Sequence, residues 1–221
     1  MPIILTEQLS KTYRMGKETV TALHDCSVTI EAGECVAVMG RSGAGKSTLL
    51  HLLGGMDTPT AGTVRICDTE LTRLSPAKRA AFRLRHIGYV FQSYNLIPEM
   101  TAAENIRLPA LLHPNDVDEP YYREITEALG LQNRLQHYPA ELSGGQQQRV
   151  AIARAVINKP EVLLCDEPTG NLDSSTGAEV LRLLLDTAMQ YHMTLVIVTH
   201  DAALAQRMQR VITLSDGGVI A

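Results

Sequence analysis

The chain has no long apolar run, no basic surplus, no leader-like pattern in its opening residues and no closely spaced cysteines, and each absence narrows what is expected of it. Its longest apolar stretches, such as "TLVIVT" and "VLRLLL", fall far short of the roughly 20 residues that span a bilayer, so nothing in it is expected to cross a membrane unaided. Lysine and arginine number 20 against 24 aspartate and glutamate, a formal charge of -4, and that balance predicts no general attraction to nucleic acid or anionic lipid. The opening "MPIILTEQLSK" lacks a basic leader, an apolar centre and a small-residue cleavage site, so the cytoplasm is the expected address. Cys26, Cys35, Cys67 and Cys165 form no pair at metal-site spacing and are expected to be reduced residues in or near the core. No internal repeat, low-complexity tract or long linker interrupts the 221 residues, 45% of them hydrophobic. One continuous fold with a sizeable core is expected.

What is present is an alternation of strands and helices. "TVTALHDCSVTI" alternates in part, as a half-exposed strand does, and "ECVAVMG" is a buried strand that runs into a glycine loop. A helix starts at Lys46 and stops at Gly54 and Gly55. "GTVRICDTEL" reads as one strand, "SPAKRAAFRLR" as a helix with proline at its first position, and "HIGYVFQ" as a strand again. Helical periodicity fills the middle, punctuated by a loop at "HPNDVDEP". After Pro160 come strand "EVLLCDE", helix "GAEVLRLLLDTAMQ", strand "TLVIVTH", a short helix from Asp201 and strand "RVITL". Such alternation predicts a mostly parallel sheet with helices on both faces.

Two stretches are built to receive phosphate. Gly40, Arg41, Ser42, Gly43, Ala44, Gly45, Lys46 and Ser47, followed by Thr48, spell G-x-x-x-x-G-K-S between a strand and a helix, the context the phosphate loop requires. Glycines there let successive N–H groups converge on phosphate oxygens, Lys46 brings a mobile positive charge, and Ser47 offers a hydroxyl to Mg²⁺. About a hundred residues later, "ELSGGQQQRVAIARA" places Ser143 as an N-cap before Gly144, Gly145 and Gln146. That is the open first turn of a second helix, with unpaired N–H groups and a positive dipole end.

Single residues at strand ends complete the set. Asp166 closes an apolar strand and is placed to hold Mg²⁺; Glu167, next to it, is a candidate general base for an attacking water. His200 ends another apolar run and suits donation to a γ-phosphate oxygen or orientation of water. The amide of Gln92 can reach Mg²⁺ or its water. Tyr13 offers a ring face to adenine, or simply packs. Lys78, Arg79, Arg83 and Arg85 form a basic cluster that reads as a solvated helix face rather than a partner contact.

Together these residues resemble the nucleotide-binding ATPase subunits of ABC transporters, over essentially the whole chain and in that family's order: "GRSGAGKST", Gln92, "LSGGQ", "VLLCDE", "NLD" at Asn171 to Asp173, and His200. The resemblance implies an α/β P-loop NTPase of the ABC type, with a mostly parallel core sheet, an N-terminal antiparallel β part and an inserted helical subdomain. It implies a single domain over residues 1–221, the core at 1–95 and 160–221 and the helical subdomain at about 96–159. It also implies roles: Tyr13 as the A-loop aromatic, Gln92 as the Q-loop glutamine, Glu167 as the catalytic carboxylate, His200 as the switch histidine, with ATP and Mg²⁺ bound. In this family two subunits meet head to tail, so that the signature loop of one covers the γ-phosphate held by the P-loop of the other; a homodimer or a pairing with a close paralogue is implied.

"HLLGGMDTPTAGTV", "VFQSYNLIPEMTAAENIRLPALL" and "CDEPTGNLD" are similar to the branch that contains macrolide exporters, lipoprotein-release ATPases, antimicrobial-peptide exporters and the cell-division ATPase. A separate transmembrane permease is implied as partner, no nucleic acid, and a place on the inner face of the cell membrane through that permease. "SYNLIPEM" is then a strip for the permease, or part of the core. Chromosome-maintenance relatives would put heptad coiled coils in the interval of about 95 residues between Ser47 and Ser143, where no sustained heptads occur. Translation-factor relatives carry two ATPase units, and metabolite kinases lack "LSGGQ". Signalling through a membrane protein without cargo stays open beside transport.

Overall fold

A computed structural model describes residues 1–16, 18–113 and 117–220, with only the backbone of Met15. Residues 114–116, within the loop expected at "HPNDVDEP", lie outside the described residues. The chain divides into two compact units, one of Met1–Arg83 together with the residues from Thr194 onward, the other of Leu84–Met193. The helical stretch expected at about 96–159 falls inside the second unit, which also takes in the strands that pack with it.

In the first unit, β1 (Pro2–Met15) pairs antiparallel with β2 (Glu18–Glu31) and with β4 (Ala61–Ile66). Ile4, Leu9, Leu23, Cys26, Val28, Ile30, Val64 and Ile66 bury between them. Simple alternation does not reveal β1, because its register shifts between Thr6 and Leu9, where Gln8 takes a φ of 47°. A bulge of that kind moves the following side chains to the other face. β4 does not run through to Leu71 as one strand. It turns at Cys67 and Asp68, both with positive φ, and returns as β5 (Thr69–Glu70), with Ile66 opposite Thr69. That is a two-residue hairpin loop made without the usual Asn-Gly pair, and it leaves Cys67 half-buried while the other three cysteines are buried.

The same unit holds a parallel group. β3 (Cys35–Met39) lies between β8 (Thr194–Val198) and β9 (Arg210–Ser215), parallel to both. Every residue of β8 is buried, the condition that produces a continuous apolar run rather than alternation. β9 turns back into β10 (Gly218–Val219). Helix α1 (Lys46–Leu53) buries Leu49, Leu50, Leu52 and Leu53, and its last carbonyls are taken by Gly54 and Gly55. The short α7 (Ala202–Ala205) starts on Asp201, whose carboxylate accepts from two backbone N–H groups. Helix α2 (Pro76–His86) runs across the division at residue 83 and buries only Phe82. Two members of the basic cluster on it are structural: Arg79 donates to the Thr58 hydroxyl and Arg83 to the Gly55 carbonyl.

In the second unit β6 (Ile87–Val90) and β7 (Val162–Asp166) run parallel, and α5 (Gly144–Val156) lies directly over β6, with the Ala155 carbonyl against Gly88. Helix α3 (Ala102–Leu111) opens with a capping box between Thr101 and Glu104, and α4 (Glu119–Ala128) opens on Asp118. Helix α6 (Ser174–Gln190) starts at Asp173, which accepts from the Ser175 and Thr176 N–H groups; hydrogen bonds from those two residues hold its carboxyl well below the ordinary range.

Candidate functional site

The phosphate loop forms where the sequence places it, at the C-terminal end of β3. Gly43 and Gly45 take positive φ, and Gly45 sits so close to β2 that a Cβ there would collide with the Ala22 carbonyl oxygen. Glycine is therefore needed both for the backbone turn and for the approach of the neighbouring strand. Gly45 is also the N-cap of α1 and offers no side-chain cap, which leaves the first-turn N–H groups to other acceptors. Lys46 departs from the expected mobile charge. It is only 9% exposed, and its ammonium donates to the Gly40 carbonyl at 2.9 Å and the Arg41 carbonyl at 3.1 Å. The lysine is held by two carbonyls of its own loop. A cavity of about 370 Å³ borders Gly40–Ala44 on the side of Thr213–Asp216.

His200 lies two residues beyond β8. Because Val38 stands opposite Val198 in the parallel pair and the Thr199 N–H donates to the Val38 carbonyl, His200 and the phosphate loop leave the same sheet edge, the edge at which open α/β sheets bind ligands. The His200 side chain is exposed.

Tyr13, on β1, has its hydroxyl tied down. It donates to Asp57 Oδ2 at 2.8 Å, while Lys11 Nζ stands 4.9 Å from the ring centroid. Lys11 also donates to Asp57 Oδ1 at 2.6 Å and to the Thr58 carbonyl at 2.7 Å. Burial raises the Tyr13 hydroxyl pKa, and the bond to Asp57 adds to it. Burial alone would raise the Asp57 carboxyl, but the bonds from Lys11, the Thr58 N–H and Tyr13 outweigh it and leave the pKa below its ordinary value. Asp57 and Lys11 were not legible as site residues, since one lies 44 positions from Tyr13 and the other is an unremarkable strand lysine.

The second unit gathers Gln92, Asp166, Glu167 and the signature residues. Val90 is opposite Cys165 in the parallel β6–β7 pair, so Gln92 and the two carboxylates leave one edge. Glu167 has a φ of 44°, and its carbonyl accepts from the Gly170 N–H at 3.0 Å. A Cβ on Gly170 would stand 2.9 Å from Gln92 Nε2 and 3.3 Å from Glu167 Oε2, so the two side chains converge over this glycine. Asn171 donates to the Gln92 carbonyl at 2.9 Å, which fastens the "NLD" segment to the Gln92 segment.

At the signature, Ser143 and Gln146 cap each other: the Ser143 hydroxyl accepts from the Gln146 N–H at 3.3 Å and the Gln146 side chain accepts from the Ser143 N–H at 3.0 Å. Ser143 is exposed and Gly145 buried. A Cβ at Gly145 would collide with Thr176 Cγ2 of α6, so this glycine serves packing within the chain as well as access to the backbone.

A family profile described as ABC transporter matches residues 23–170. The chain belongs to the ABC transporter family. The lipoprotein-releasing system ATP-binding protein LolD of Shewanella frigidimarina is 45% identical over 217 residues, 97% of this chain and 91% of that protein. The macrolide export ATP-binding/permease protein MacB of Sodalis glossinidius is 45% identical over 222 residues, 100% of this chain and 34% of that protein. Among solved structures, a dimeric post-hydrolysis state of the ATP-binding cassette MJ0796 bound to ADP and Pi matches with a TM-score of 0.90 at 40% identity, over 99% of this chain and 97% of that one. The α/β fold with its antiparallel N-terminal sheet is thus the fold of an ABC cassette.

Proposed function

We propose that the cassette binds and hydrolyses ATP as the motor subunit of a transporter, paired with a second copy or a close paralogue and coupled to a separate transmembrane permease. The observation that carries it is the phosphate loop at the end of β3, with Lys46 held against its carbonyls and His200 leaving the same edge. The loop's N–H groups and Lys46 bind the β- and γ-phosphates. Tyr13, oriented by Asp57, stacks on adenine. Ser47, Asp166 and Gln92 present only oxygen donors, a hydroxyl, a carboxylate and an amide carbonyl, which suits Mg²⁺; when bound, the ion neutralises charge on the phosphates. Glu167 accepts a proton from the attacking water, and His200 donates to the γ-phosphate. Ser143, Gly144 and Gly145 of the other copy close over that phosphate through the open first turn of α5.

ATP then holds two copies together, and cleavage releases them, a γ-phosphate switch of the kind that drives other NTPases. The cargo in this reading is lipoprotein, peptide or drug; the names of LolD and MacB support the first and the last. Among the described residues no helix is long and apolar enough to cross a membrane; in this reading the cassette sits on the cytoplasmic, inner face through the permease. In "SYNLIPEM", Pro98 and Glu99 are exposed while Leu96, Ile97 and Met100 are half-buried, which supports a permease strip anchored on apolar residues. Ser143→Arg tests the shared site. It should leave the dissociation constant for ATP within about threefold and lower hydrolysis by about a hundredfold or more, measured by nucleotide binding and phosphate release. Equal loss of both would place the signature in its own chain's pocket.

A further inference from the structure

The segment after Gln92 has no regular secondary structure, yet its backbone is held on both sides. Asn105 of α3, fully buried, accepts from the Ile97 N–H at 2.8 Å and donates to the carbonyls of Ile97, Met100 and Thr101 at 3.0 to 3.1 Å. Arg154, in the last turn of α5, donates through Nη2 to the Tyr94 carbonyl at 2.8 Å and through Nη1 to the Asn95 carbonyl at 2.6 Å. These are charge-assisted bonds from one planar fork. They close on two consecutive non-glycine residues with left-handed backbones, Tyr94 at φ 59° and Asn95 at φ 49°, a conformation that persists only where its surroundings enforce it. Tyr94 also reaches the other end of the same helix: a Cβ on Gly144 would stand 2.9 Å from its hydroxyl oxygen. One residue of the Gln92 segment therefore touches α5 at its first turn and, through Arg154, at its last. Burial lowers the Arg154 guanidinium pKa from its ordinary value, so this fork is held in place against a desolvation cost.

We infer that Arg154 is a positioning residue that locks the Gln92 segment to the signature helix, so that the two move as one body. Resting on the function proposed above, this means that the loop serving a chain's own nucleotide and the helix serving its partner's nucleotide shift together. The network contains no residue of the phosphate loop and not Tyr13, so loss of Arg154 should spare ATP affinity and impair turnover.

Arg154→Met keeps length and apolar stem but has no donors. It should lower kcat about tenfold or more with the KM for ATP within about twofold, and Arg154→Lys, which reaches one carbonyl at a time, should fall between. Hydrogen exchange followed by mass spectrometry should show faster exchange in Arg154→Met for the peptide over residues 91–96 and for the first turn of α5, with no change over residues 35–53. Glycine adopts the left-handed backbone without strain, so Asn95→Gly added to Arg154→Met should restore part of kcat. Wild-type kcat in Arg154→Met overturns the inference, as does loss of kcat without altered exchange at residues 91–96 or without rescue by Asn95→Gly. Should Arg154→Met fail to fold, Arg154→Lys gives the same comparison, and wild-type kcat and exchange there are equally fatal. ATP-driven dimerisation of Glu167→Gln keeps the two levels apart. If that dimer fails to form, the proposed function fails; if it forms and the Arg154 variants behave as wild type, only the lock fails.

Discussion

Glu167→Gln should bind ATP normally, lose hydrolysis by about a hundredfold to ten-thousandfold, and accumulate as an ATP-bound dimer visible by gel filtration. The substitution is nearly isosteric, so the backbone at φ 44° and the packing over Gly170 beside Gln92 remain. What disappears is the capacity to take a proton from water. If ATP joins two copies and cleavage parts them, blocking the proton transfer must trap the joined state. A monomer with ATP, or turnover near that of wild type, would contradict the role assigned to this carboxylate.

Lys46→Ala should weaken ATP binding by on the order of a hundredfold or more, because two effects coincide. The ammonium supplies charge to the β- and γ-phosphates in a buried setting, where a charged hydrogen bond is worth more than at the surface. The same group donates to the Gly40 and Arg41 carbonyls, so its removal also loosens the loop whose N–H groups must converge. Thermal unfolding reads this directly: ATP at saturating concentration should raise the melting temperature of wild type and leave that of Lys46→Ala unmoved. An equal shift in both would remove the phosphate loop from the site.

The parts of this site that were legible in the sequence are those written in consecutive residues. The phosphate loop is contiguous and flanked by its strand and helix, and β3, β7 and β8 stand out as unbroken apolar runs because they are buried almost throughout. The start of the signature helix was legible because Ser143 is a preferred N-cap residue; the structure adds the reciprocal bond from Gln146. The rest depends on chain folding that no local pattern encodes. β1 hides its period behind the bulge at Gln8, and the β4–β5 turn uses Cys67 and Asp68 where an Asn-Gly pair would have announced it. The support of Tyr13 comes from Asp57 in another loop, and the partners of Arg154 lie 59 and 60 positions away. Lys46 was legible as the cation of the loop, but its anchoring on Gly40 and Arg41 depends on how the loop curls.

The central claim is that each nucleotide is held between the phosphate loop of one copy and the signature of another. Ser42 and Ser143 are both exposed, and a disulfide requires Cα atoms within about 7 Å. Copies carrying Ser42→Cys, mixed with copies carrying Ser143→Cys in the Glu167→Gln background and mildly oxidised, should yield a disulfide-linked pair of the two variants with ATP and little without it. No cross-link with ATP, or the same yield in its absence, would contradict the account.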